Sequence, residues 1–169
     1  MKHPSALAKS EKASMIGPVN PMERALATPP AAGYAGDLSP TEAWTMLKGD
    51  ADAVLVDVRT KAEFVFVGIP DLSDIDKEPL MVPWKAFPSM EQNPAFVDQV
   101  VAECADKNAP LLFLCRSGGR SREAAIAMTK AGLTRCYNIA TGFEGDADAQ
   151  RHRNTVGGWR RDGLPWVQT

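Results

Sequence analysis

Apolar positions along this chain fall into two kinds of run. Ala53-Val54-Leu55-Val56-Asp57-Val58, Leu111-Leu112-Phe113-Leu114 and Cys136-Tyr137-Asn138-Ile139 are short and do not alternate with polar residues. Such runs predict strands buried on both faces. Helical patterns lie between them. Ser39-Pro40-Thr41-Glu42 is a capping box with proline at the first helical position, and it opens a helix carrying Ala43, Trp44 and Leu47 that Gly49 closes. Asn93-Pro94 opens a second, with Phe96, Val97, Val100, Val101 and Cys104 on one side, and Arg122 to Ala131 forms a third. Strands separated by helices predict an α/β fold with a parallel sheet covered on both faces. Right-handed crossovers then bring the C-terminal ends of the strands to one rim, where ligands bind in such folds. Asp57 and Cys115 both fall at strand ends and are expected to share that rim.

Two stretches break the pattern and set the domain boundaries. Residues 1–32 carry Pro4, Pro18, Pro21, Pro29 and Pro30 with no sustained period. They are read as a flexible N-terminal arm, with a short helix over Pro21 to Ala27, and residues 33–169 as one folded domain. Pro70 to Pro88 is acidic and proline-rich and is expected as an ordered long loop. A polar stretch from Asp146 to Gly158 carries Arg151, His152 and Arg153.

Charge and composition narrow the classes of function. The net charge of −2 gives no general attraction to nucleic acid. No apolar run approaches the roughly 18 residues of a membrane span, and no secretory signal opens the chain, so a cytoplasmic protein is expected. The three cysteines, Cys104, Cys115 and Cys136, are widely spaced, and without a Cys-x-x-Cys pair neither a zinc ribbon nor a thioredoxin-type site is read; no metal site is expected. Cys104 and Cys136 lie in apolar surroundings and are expected to be inert.

Cys115 differs. It ends the most apolar run in the chain and is followed at once by Arg116-Ser117-Gly118-Gly119-Arg120-Ser121. Burying that segment would strand a guanidinium and several N–H groups, so the loop must open to solvent or to an anion. Several loop amides, the N-terminus of the following helix and two arginines all favour negative charge at this point. A thiolate is a nucleophile, and Cys115 is the expected catalytic residue. Arg116 and Arg120 would attract and orient an anionic substrate, one of them being held in a structural pairing. Ser117 and Ser121 would offer hydroxyl groups to the sulfur, or Ser121 would cap the helix. Asp57 is read as support that holds Arg59 or a loop arginine. Phe64, Trp84 and Phe143 are candidates for an apolar wall at the mouth or for core.

The order Asp57-Val58-Arg59, Glu63-Phe64, Gly68-Ile69-Pro70, the Cys115 to Ser121 loop, Gly142 and Gly163-Leu164-Pro165 resembles the single-domain rhodaneses, the thiosulfate sulfurtransferase-like family, over about residues 34 to 167. The resemblance implies a rhodanese-like three-layer α/β/α sandwich with a five-stranded parallel sheet in the order 3-2-4-5-1. It also implies transfer of a sulfane sulfur, through a Cys115 persulfide, from thiosulfate or another persulfide donor to cyanide or a thiol, without metal or organic cofactor. A small anionic donor and a thiophilic acceptor are the expected partners. A sulfur-relay protein would dock on the arm or on the 146–158 stretch. The chain departs from the family at Gly68-Ile69-Pro70-Asp71-Leu72, where the family often reads Gly-His-Ile-Pro-Gly-Ala, and in the insertion between Gly142 and Trp159.

Two other readings share the loop. A phosphatase or arsenate reductase needs an arginine six positions after its cysteine, whereas here Arg120 is five positions on and Ser121 occupies the sixth. That makes the cradle smaller and better suited to sulfur than to a tetrahedral phosphate. A sulfur-relay or binding module without free turnover is the other, and retention of the cysteine with both arginines argues for catalytic competence.

Overall fold

The computed structural model describes residues 33–169. The arm and the helix expected over Pro21 to Ala27 lie outside the described residues. The chain runs β1 (Gly36–Leu38), α1 (Pro40–Gly49), β2 (Val54–Asp57), α2 (Lys61–Val67), β3 (Ile69–Pro70), a 3-10 turn (Ser73–Ile75), β4 (Leu80–Met81), β5 (Lys85–Ala86) and β6 (Glu91–Gln92). It continues with α3 (Phe96–Glu103), β7 (Leu111–Leu114), α4 (Gly119–Lys130), β8 (Cys136–Ile139) and β9 (Trp166–Val167).

The central sheet has five strands in the order β1-β8-β7-β2-β4, and every neighbouring pair is parallel. Counted along the chain within this sheet alone, the order is 3-2-4-5-1. Two short antiparallel ladders add detail that the sequence pattern did not announce: β3 with β9, and β5 with β6. The first ties the C-terminus to the segment after α2. The C-terminal segment is held there by this ladder, with Leu164 packed against the core and the partly exposed Trp166 edge-on to Phe143.

Period-two alternation along β7 sorts its side chains between two cores. Leu111, Phe113 and Cys115 face Phe96 and Val100 of α3 and Ala124, Ala125 and Met128 of α4. Leu112 and Leu114 face Ala43, Met46 and Leu47 of α1, with Phe143 and Trp159 completing that side. Helices thus cover both faces, in three layers. All four residues of β7 are fully buried, each contributing roughly 1.5–3 kcal/mol relative to exposure. This makes β7 a rigid lever for the cysteine at its end.

Local chemistry explains most element boundaries. Ser39 caps α1, accepting from the Glu42 amide while the Glu42 carboxylate takes the Ser39 amide. Thr60 and Glu63 repeat the arrangement at α2, a helix the apolar pattern does not mark because none of its residues is fully buried. The long loop over Pro70 to Pro88 is ordered as expected, yet it also delivers β4 to the sheet edge. With only two residues, β4 is too short to show a period. No helix among the described residues is long and apolar enough to cross a membrane.

Candidate active site

Cys115 lies immediately beyond β7 and is 1% exposed. The chain turns at Gly118, whose φ of +102° suits glycine, and α4 begins at Gly119 rather than at Arg122. There is no room for a side chain at Gly118, since a Cβ would overlap the Ala140 carbonyl. Gly118 N–H donates to Cys115 Sγ at 3.1 Å, and so does the Ser121 hydroxyl at 3.1 Å. Ser121 is the third residue of α4 and points at sulfur, so it does not cap the helix.

The expected ring of inward amides reduces, among the described residues, to this one N–H on the sulfur. The amides of the first turn of α4 have no partner inside the helix and remain for an anion. Ser117 makes no side-chain hydrogen bond among the described residues. Across the loop, Phe143 N–H donates to Cys115 O at 2.8 Å and Glu144 N–H to Arg116 O at 2.9 Å. This strap lies so close that a Cβ on Gly142 would come 2.5 Å from the Cys115 carbonyl oxygen.

The two loop arginines separate. Arg120 grips Glu63 with two bonds of 2.8 Å and is the structurally paired one. It is thus the loop arginine held in the pairing expected of one of the two, and its partner is Glu63 rather than Asp57. Burial pushes the Glu63 carboxyl up, but the bonds from Arg120 and the Thr60 amide outweigh it and hold the group at about 2. The Arg120 guanidinium is raised in turn by its bond to Glu63. Arg116 is exposed and makes no side-chain hydrogen bond or ion pair among the described residues. Arg116 and Arg120 line an open depression of about 380 Å³.

Asp57 and Arg59 pair with each other at the end of β2. Both are fully buried, and Arg59 binds Asp57 through Nε at 2.9 Å and Nη2 at 2.6 Å. Nη2 also donates to Gly68 O at 2.8 Å, and the guanidinium lies 4.2 Å from the Phe143 ring centroid. Neither loop arginine joins this pair.

Of the aromatics read as wall or core, two are core. Trp84 is buried and donates through Nε1 to Glu123, and Phe143 is core. The depression is lined instead by Phe66, Val67, Phe87 and Met90, with Phe66 77% exposed. The sequence holds no periodic signal for these positions, because they gather from α2 and the β5–β6 hairpin. Two other missed residues did leave a signal: Glu63 in the Thr60-x-x-Glu63 capping pattern, and Asn138 as the one amide in an otherwise apolar buried run. The stretch from Asp146 to Gly158 is a turn folded around Asp148, which takes the amides of Gln150 and His152 and the Thr155 hydroxyl.

Residues 35–169 match the family model described as the STR4 middle domain. The chain belongs to that family. Its fold is that of a single rhodanese-like domain. The crystal structure of Rv0390 from M. tuberculosis is 46% identical, with a TM-score of 0.74 over 80% of this chain and 99% of that one. An uncharacterised protein of Rickettsia rickettsii, the RP600 homologue, is 41% identical over 75% of this chain and 92% of its own length. The thiosulfate sulfurtransferase GlpE of Actinobacillus pleuropneumoniae is 24% identical over 76% of this chain and 90% of its own. The similarity to GlpE supports a sulfurtransferase-type domain.

Proposed function

We propose that this rhodanese-like protein is a sulfurtransferase that carries a sulfane sulfur on Cys115, taking it from thiosulfate or another small anionic donor and passing it to a thiol or cyanide. The observation that carries the reading is Cys115 itself. It is a nearly buried thiol at the end of a rigid strand, held by one amide and one hydroxyl, with Arg116 beside it. The 24% identity to a thiosulfate sulfurtransferase over most of both chains supports the donor.

In the first half-reaction the Cys115 thiolate attacks the outer sulfur of thiosulfate. An S–S bond forms at Sγ, the sulfur–sulfur bond of the donor breaks, and its electron pair leaves with sulfite. The exposed Arg116 draws the dianion to the mouth, and the free amides of α4 face the incoming charge. In the second half-reaction the acceptor takes the outer sulfur and returns the thiolate. Each step moves one sulfur atom between nucleophiles, so neither a metal nor an organic cofactor is required. Arg120 stands five positions after Cys115, one short of the phosphatase pattern, and this smaller cradle weighs against a phosphatase.

Intact-mass spectrometry after exposure to thiosulfate is the direct test. One added sulfur atom on Cys115, discharged by cyanide and absent from Cys115→Ser, is the expected result. Arg116→Met should raise KM for thiosulfate about tenfold, the worth of one charge-assisted hydrogen bond, with kcat little changed. Failure to form the adduct, or its survival in Cys115→Ser, overturns the assignment.

A further inference from the structure

Behind the nucleophile, one proton has two claimants. Ser121 Oγ lies 3.1 Å from Cys115 Sγ and 2.6 Å from Asn138 Oδ1. Ser121 and Asn138 are both fully buried, so no solvent relieves the competition. The orientation of the amide is set from its far side. Asn138 Nδ2 donates to Asp37 Oδ1 at 2.9 Å, and a carboxylate only accepts. Oδ1 must therefore face Ser121 as an acceptor, and the serine hydroxyl has a single proton to give.

The charge state of the sulfur decides whether both claims can be met. With a neutral thiol, S–H points to Oγ and O–H to Oδ1, and every group is satisfied. With a thiolate, the hydroxyl either turns to sulfur and leaves a buried amide oxygen bare, or stays on the amide and leaves the sulfur with Gly118 N–H alone. An unmet buried acceptor is costly. Once Cys115 carries a second sulfur, the negative charge sits on the outer atom. Sγ is then a neutral bridging sulfur and a weak acceptor, and the hydroxyl returns to Asn138 without loss.

We propose that Asn138 is a positioning residue for sulfur transfer: by competing with Cys115 for the Ser121 proton, it disfavours the empty thiolate and so favours the sulfur-loaded protein. The inference rests on the sulfurtransferase reading above. The step it acts on is balanced without a proton. The Cys115 thiolate and thiosulfate become the Cys115 persulfide anion and sulfite, with one S–S bond formed and one broken. What changes at Sγ is its charge, and Asn138 responds to that charge through Ser121.

Asp37 supplies an independent handle. It also accepts from the Tyr34 hydroxyl at 2.7 Å and lies 3.7 Å from Arg122, but its side chain is 42% exposed. Removing its carboxylate unpins the amide, which can turn over and offer its NH2 to Ser121 Oγ. The hydroxyl proton is then free for sulfur. A buried and a surface substitution thus share one predicted sign.

The test equilibrates the full chain with mixtures of thiosulfate and sulfite in alkaline buffer and reads loaded against empty Cys115 by intact mass. Asn138→Leu and Asp37→Ala should each lower the loading constant about fivefold, the worth of one hydrogen bond. Both effects should vanish in a Ser121→Ala background, which a merely structural role would not produce. Asp37→Ala leaves the core intact and serves where Asn138→Leu does not fold. An unchanged or raised constant, or a drop that persists without Ser121, overturns the inference. A wild-type chain that takes up no sulfur overturns the proposed function as well, whereas normal wild-type loading with no shift in the variants overturns only the role of Asn138.

Discussion

Replacing Glu63 with glutamine keeps the shape of the side chain and removes its charge. In the native protein that carboxylate closes the capping box of α2 and clamps Arg120 with two bonds of 2.8 Å. Its pKa is held at about 2, against an ordinary value of 4.5. At 1.36 kcal/mol per unit, this bounds the contribution at roughly 3.4 kcal/mol. The side chain is 19% exposed, which screens part of it, so a loss of about 2 kcal/mol at neutral pH is expected. The folded pKa is depressed, so the stabilisation is fully present above the unfolded value. It is lost as pH falls from about 4.5 towards about 2. Glutamine can still accept the Thr60 amide, so the cap itself survives. The assay is urea unfolding of wild type and Glu63→Gln across a pH series. The gap should stand near 2 kcal/mol at neutral pH and close as acid protonates Glu63 in both the folded and unfolded wild-type chain. A gap that does not depend on pH, or none at neutral pH, refutes the reasoning.

Two further substitutions and one labelling experiment probe the scaffold. Arg59→Met leaves the buried Asp57 carboxylate unpaired and should cost about 3–5 kcal/mol in chemical denaturation, so a cost under about 1 kcal/mol would contradict the buried pair. Gly118→Ala meets both a φ of +102° and the Ala140 carbonyl, and should destabilise the fold by more than about 2 kcal/mol while abolishing the Cys115 adduct. Full adduct formation in that variant would show that the turn is not needed to aim the sulfur. Burial pushes the Cys136 thiol up to about 12, so iodoacetamide at neutral pH should leave Cys136 unlabelled in the native protein; peptide mapping that finds it labelled without unfolding would contradict the packing.

The catalytic candidate and the sheet that carries it were legible in the chain. Leu111 to Leu114 is too apolar for any place but a central strand, and the Arg-Ser-Gly-Gly-Arg segment behind it is too polar to follow it inside. Those two facts place Cys115 at a strand end, at the start of a polar loop. The capping box at Ser39 and the glycine at 49 likewise mark α1, since caps are local chemistry. The five-stranded order came from the family resemblance, because a two-residue edge strand such as β4 has no period of its own.

Tertiary structure alone decided how the charges are shared. Sequence spacing leaves Arg116 and Arg120 equivalent candidates for substrate. The fold brings Glu63, 57 residues away, against Arg120 and leaves Arg116 exposed. It also sets Asn138, one strand over, against Ser121, so that the only side-chain donor to the sulfur among the described residues has another acceptor to serve. The wall of the mouth is assembled in the same way, from Phe66 on α2 and Phe87 and Met90 beside the β5–β6 hairpin. A strand, a cap or a glycine turn is settled within a few residues by backbone sterics and hydrogen bonding. A charge partner or a proton acceptor is chosen from whatever the folded chain brings within about 3 Å, and only three dimensions reveal that choice.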